Sequence, residues 1–165
     1  MSLELQILIL IVLIILSGFF SGSETALMSL NRAKVKSLVK KGRKNAKVLE
    51  KIKENPRRLI ITILVGNNVV NTAGAALTTW IFASMFGSAA IGIATGVMTF
   101  FLLVFGEITP KTYAAQNADE ISLKIAPTIN FLIIIFYPLT RNFELISTLI
   151  SKILKSEETK ELSEE

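Results

Sequence analysis

The chain contains neither cysteine nor histidine. Disulfides and thiolate centres are thereby excluded, and zinc, copper and iron lose the sulfur and imidazole ligands on which their sites mostly depend. Charge is also absent over a long stretch: between Arg58 and Lys111 the only acidic or basic side chain is Glu107. No arginine lies in that stretch and its aromatic residues are few, which disfavours an anion or an organic substrate. No nucleophile–base pair and no phosphate-binding loop is found, so catalysis is not expected. Any ligand chemistry left to the chain has to be done with oxygen.

What the sequence has in plenty is apolar length. Of 165 residues 51% are hydrophobic, too many for a small soluble domain. Several runs reach the roughly 20 apolar residues that a bilayer crossing requires. The expected fold class is an all-α integral membrane protein. The first run, Ile7 to Phe20, has the length of a signal-peptide core, but Glu4 in its flank is acidic and no small-residue cleavage signal follows cleanly. It is read as a span.

Three spans are expected, at about residues 5–30, 59–83 and 89–111, with Phe86-Gly87-Ser88 as a tight turn between the second and third. The first is long enough only if it includes Ser21-Gly22-Ser23-Glu24-Thr25, so a polar, glycine-containing interruption is expected in its inner half. Small residues stud the other two (Gly74, Ala75, Ala76; Gly92, Ala94, Gly96) and let membrane helices approach closely. Twelve of the 18 basic residues fall between Arg32 and Arg58. They form a belt, residues 31–58, between two apolar segments, which argues against a nucleic-acid-binding domain. Short loops rich in Lys and Arg mark the cytoplasmic side, so the N-terminus is placed outside a cell-membrane protein. Within the belt Val35, Leu38 and Val39, then Val48, Leu49 and Ile52, recur at helical spacing. They predict short amphipathic helices on the inner membrane surface, broken near Gly42 and ended by Asn55-Pro56.

A juxtamembrane segment, 118–155, is less regular. Pro127, Asn130 and Pro138 interrupt its apolar part, and Leu139, Phe143, Ile146, Leu149, Ile150 and Ile153 then repeat at helical spacing. A fourth crossing over about 123–139 competes with a helix, proline break and helix that enters the interface and returns. The second reading is taken, with a cytoplasmic C-terminus. Residues 156–165 are polar and aperiodic, a linker or chain end.

Three polar clusters stand on the three spans: Ser21-Gly22-Ser23-Glu24-Thr25, Gly66-Asn67-Asn68 with Asn71, and Gly106-Glu107-Ile108-Thr109-Pro110-Lys111. Asn67 and Asn71 share a helix face, and Pro110 removes a donor and frees a carbonyl one turn earlier. Bland accounts exist for each: interhelical hydrogen bonds for Ser and Asn, and for Glu107 a pair with Lys111 or snorkelling to the interface. Even so, an ionisable group at membrane depth costs roughly 2.5 to 3.5 kcal/mol on insertion scales, so Glu107 is read as part of a site. Hydroxyls, amide carbonyls and one or two carboxylates suit a hard cation, Mg²⁺ or Na⁺. Discontinuous helices whose unwound carbonyls coordinate ions are one way membrane proteins build such sites.

The runs Gly18-Phe-Phe-Ser-Gly-Ser-Glu-Thr-Ala26, Gly66-Asn-Asn68 with Asn71, and Gly106-Glu-Ile-Thr-Pro-Lys111 together resemble the transmembrane domain of the CorC/CNNM (cyclin M) magnesium transporter family. The resemblance covers about residues 5–155. It implies a homodimer with three transmembrane helices per subunit, a cytoplasmic belt and a juxtamembrane helical element, and export of Mg²⁺ coupled to Na⁺ entry. Carried over motif by motif, it implies Mg²⁺ ligands at Ser21, Ser23, Asn67, Asn71 and Glu107, with backbone oxygens around Gly106 and Pro110. Glu24, Asn68 and Lys111 would stand around the ligands or serve Na⁺. Family members usually continue into CBS modules that bind ATP with Mg²⁺; none is present here, so the chain is read as the membrane piece of a longer protein. A passive cation channel or Na⁺ transporter, and a non-transporting membrane scaffold or regulator, are the competing functions.

Overall fold

The computed structural model describes residues 2–87, 91–139 and 141–142. All the regular structure among them is helical. Three helices are long and apolar enough to cross a membrane: α1 (Leu3–Ser29), α4 (Pro56–Phe86) and the helix Ile91–Gln116. Large apolar side chains such as Ile15, Val69 and Ile93 face outward from them, as lipid contact demands. The protein is a multi-pass membrane protein.

The polar run Ser21–Thr25 does not interrupt α1, which is α-helical from end to end. Glycine serves close approach here instead of unwinding. Gly18 and Gly22, four apart, present a bare face on which the third span rests. A Cβ at Gly18 would lie 3.1 Å from Pro110 Cγ, and one at Gly22 would lie 3.4 Å from the Pro110 carbonyl oxygen. On α4 the buried face steps by four through Thr62, Gly66, Val70, Gly74 and Thr78. The Phe20 ring fills the space above Gly66, where an added Cβ would be 2.4 Å from it. Proline at the start of α4 lacks a donor that the first turn would leave unused in any case. Gly87, with φ of 76°, ends that helix in a conformation open to glycine.

The third span is the irregular one. It comprises α5 (Ile91–Phe101), a π-helical segment (Leu102–Ile108) and α6 (Thr109–Gln116). Pro110 cannot donate, and its ring crowds the carbonyl a turn before it; a wider π turn relieves that crowding without breaking the helix.

The belt consists of α2 (Arg32–Lys40) and α3 (Ala46–Glu54). The Asn31 side chain caps α2 by accepting from the Lys34 N–H at 2.8 Å. Gly42 and Asn45, both with positive φ, turn the chain between the two helices. The apolar face of the belt meets protein: Val35, Leu38, Leu49 and Ile52 join Leu27 of α1, Leu30 just after it, Leu59 and Ile63 of α4, and Leu123, Ala126 and Ile129 of α7 (Ala118–Ile135) in one buried cluster. The partner of that apolar face is therefore α7 in place of lipid. Lys53 of α3 also closes the end of α1, its ammonium donating to the carbonyls of Leu27, at 2.6 Å, and Leu30. A cation at a helix C-terminus is favoured by the helix dipole. Burial pulls the Lys53 ammonium below its ordinary value.

The final described element, α7 (Ala118–Ile135), runs straight through Pro127 and turns at Phe136, ahead of Pro138. Pro127 leaves the Leu123 carbonyl without its helical donor. The Asn45 side chain supplies one, donating from Nδ2 at 3.0 Å. Exposed pairs Lys34–Asp119 (2.8 Å) and Arg43–Glu120 (3.9 Å) also join belt to α7, and Arg58 of α4 lies 4.6 Å over the Tyr137 ring. The helical pattern expected from Phe143 to Ile153, and the tail 156–165, lie outside the described residues.

If Asn45 exists to serve the carbonyl that Pro127 frees, the two substitutions must be coupled. Asn45→Ala should cost about 1 kcal/mol of stability. In a Pro127→Ala background, where residue 127 regains its own N–H, it should cost markedly less, as measured by a double-mutant cycle of thermal unfolding in detergent.

Candidate cation site

Residues 17–22 of α1 form a hub that touches both other spans. Phe20 packs on Gly66, next to Asn67, while Gly18 and Gly22 pack on Pro110, three residues after Glu107. Ser21 stands between these contacts in sequence and is fully buried. The three polar clusters are thereby drawn to one level of the bundle, in its belt-side half.

Hydroxyls in these helices usually satisfy themselves. Thr78, Thr79, Thr95 and Thr112 each donate to the carbonyl four residues back, at 2.8 to 2.9 Å. Ser21 and Ser23 do not. Their Oγ atoms are buried and have no hydrogen-bond partner, and the same holds for the Oδ1 atoms of Asn67 and Asn71. An unsatisfied buried polar atom costs about 1 to 3 kcal/mol. Four of them lie on two helices, at the level where the third span carries Glu107, and each has a lone pair to offer a positive or donating centre.

Glu107 lies in the π segment and is half-buried. No described basic residue pairs with it. Lys111, which helical spacing offers as its partner, reaches across to α1, with Nζ 3.7 Å from Glu24 Oε2. Pro110 deprives the Gly106 carbonyl of its α-helical donor. The Ser17 hydroxyl points at that carbonyl from α1, 3.5 Å away, so this oxygen is shared and not fully free. Asn68 is exposed where Asn67 and Asn71 are half-buried, and the structure does not bring it to the cluster.

Two further residues were not evident in the sequence. Ser17 is one; its signal was the repeat Ser17-Gly18, Ser21-Gly22, which sets both serines on one face. Thr62 is the other, four residues before Gly66 on the buried face of α4, with an unpartnered Oγ1. Ser122 of α7 has a buried orphan hydroxyl too, outside the three spans. Among the described residues no three acidic, histidine or cysteine groups gather. The candidate residues offer neutral oxygens and, at Glu107, one carboxylate.

The family description "Cyclin M transmembrane N-terminal domain" fits residues 8–165. The chain belongs to the cyclin M (CNNM) family. It is 46% identical over 132 residues to a UPF0053 protein of Haemophilus influenzae, covering 80% of this chain and 31% of that protein. It is 38% identical over 139 residues to the UPF0053 inner membrane protein YfjD of Escherichia coli, covering 84% and 32%. A chloroplastic DUF21 domain-containing protein of Arabidopsis thaliana matches at 41% over 149 residues, 90% of this chain and 23% of its own length. The chain thus spans about a third or less of these relatives.

The fit between Gly106 and Ser17 is testable. A Cβ at position 106 would sit 2.6 Å from the buried Ser17 Oγ, so Gly106→Ala should destabilise the chain by about 1 to 3 kcal/mol. Adding Ser17→Gly should recover part of the loss, read as melting temperature.

Proposed function

We propose that this chain is the ion-translocating domain of a Mg²⁺ transporter, with the ion held by Ser21, Ser23, Asn67, Asn71 and Glu107 and by backbone oxygen near Gly106 and Pro110. The observation that carries the reading is the four buried oxygens without partners on α1 and α4, at the level of a carboxylate that has no basic partner among the described residues. A hard cation would supply what all five lack, since Mg²⁺ takes oxygen ligands and seeks six of them. One carboxylate among neutral oxygens also suits transport, because a conducted ion must bind well enough to enter and weakly enough to leave.

On this reading the belt end is cytoplasmic, as its Lys and Arg content favours, and Mg²⁺ leaves at the other face in exchange for Na⁺. Direction and coupling come from the family resemblance alone. Mg²⁺ flux into proteoliposomes, measured with and without a Na⁺ gradient, tests them; flux indifferent to the gradient would favour a passive channel. The whole protein is proposed to continue into CBS modules that bind ATP with Mg²⁺.

A homodimer is part of the same proposal. Gly92 and Gly96 lie four apart on the exposed side of α5 with open space where a Cβ would be, and Asn68, Thr72 and Ala76 are exposed on α4. Small residues let helices meet closely, and a polar amide at membrane depth gains from an interhelical hydrogen bond. Replacing Gly92 and Gly96 together by Leu should shift the protein from dimer to monomer in analytical ultracentrifugation.

The site itself is tested by isothermal titration with MgCl₂. Glu107→Ala should lose measurable binding, because neutral oxygens alone repay little of the dehydration of a small divalent ion. Asn71→Leu should do the same while leaving the helical content unchanged. Wild-type affinity in Glu107→Ala would sink the assignment.

A further inference from the structure

We infer that Glu24 serves the cation site as a positioning residue: it draws the Lys111 ammonium away from Glu107 and leaves the one carboxylate of the site free for the ion. The inference rests on the cation-site reading above. Its starting point is a pair that does not form. Glu followed four residues later by Lys is the favourable order for an ion pair along a helix, and Glu107 and Lys111 have that spacing. The structure places Lys111 elsewhere, 3.7 Å from Glu24 on the neighbouring helix.

Glu24 is held where it can do this. Two residues before it, Gly22 packs against Pro110 and Ala114, on either side of Lys111 in sequence. The register of α1 against α6 is therefore fixed at the place where the ion pair crosses between them. Thr25, Met28 and Ser29 complete an open cleft around Glu24 and Lys111, so the lysine side chain can change partner without repacking the bundle. The nearest carboxylates in sequence beyond it, Asp119 and Glu120, are engaged by Lys34 and Arg43 of the belt. Without the Glu24 charge, the carboxylate one turn back on its own helix, Glu107, becomes the natural partner of Lys111. The ammonium then competes with the cation for the same two oxygens.

A ligand role for Glu24 would make a different prediction, and the two separate in a double-mutant cycle. MgCl₂ is titrated calorimetrically into the purified chain as wild type, E24Q, K111M and E24Q/K111M. An opposite charge within about 4 to 6 Å biases a carboxylate by a factor of ten or more. E24Q should accordingly weaken Mg²⁺ binding about tenfold, K111M should bind at least as tightly as wild type, and E24Q/K111M should return to wild-type affinity. A double variant as weak as E24Q would overturn the inference, because Glu24 would then act on the ion or the fold directly. Unchanged affinity in E24Q would overturn it as well. No binding by wild type or K111M would remove the cation-site reading and this inference with it, a pattern distinct from either other failure.

Discussion

The contact of Gly18 and Gly22 with Pro110 is the one on which the rest of the arrangement hangs. Two glycines a turn apart let α1 lie against a helix that carries a proline, at a separation where a Cβ at Gly18 would be tight and one at Gly22 would only just fit. From that approach follow the Ser17 hydroxyl at the Gly106 carbonyl, the placement of Ser21 in the bundle interior, and the Glu24–Lys111 bridge. Phe20, on another face of the same turn, then locks α4 in place through Gly66. A short piece of one helix thus fixes two interfaces and the polar interior they enclose.

Proline is used twice in the same way. Pro110 and Pro127 each sit inside a helix, and each leaves a carbonyl without its α-helical donor. In both cases a side chain from far along the chain comes to that carbonyl: Ser17 from 89 residues away and Asn45 from 78. The spans and the belt are therefore tied to the helices that follow them by polar contacts as well as by apolar packing. Lys53 does similar service at the end of α1. The belt, basic as it is, contributes to the bundle through its apolar face and through donors aimed at carbonyls, and its exposed ion pairs are worth at most about 1 kcal/mol each.

Much of this was legible in the residues. The lone carboxylate at Glu107, the apolar runs, the spacing of Val35, Leu38, Leu49 and Ile52, and the breaks at Gly42 and Asn55-Pro56 all correspond to features of the fold. The serine and asparagine clusters pointed to the atoms that the structure leaves without partners. What could not be read was long-range. Glycine beside polar residues suggested an unwound α1, because the sequence alone does not tell glycine used for flexibility from glycine used for contact. Pro127 suggested a break for want of knowing that Asn45 would be there to donate to the carbonyl it frees. Lys111 offered two carboxylates, one on its own helix and one across an interface, and only the packing of Gly22 decides between them. Thr62 was hidden because a lone threonine in an apolar run carries no signal until the buried face of α4 is known.

The π segment has a consequence for the two halves of the third span. A helix turns about 100° per residue, and a π turn takes up one residue more than an α turn. The faces of α5 and α6 are therefore out of phase by about that angle, and no single stripe of the sequence can describe both. Above the segment, Ala94 and Met98 turn toward α4; below it, Pro110 and Ala114 turn toward α1. One continuous helix changes neighbours midway, and Glu107 lies in the segment across which it does so.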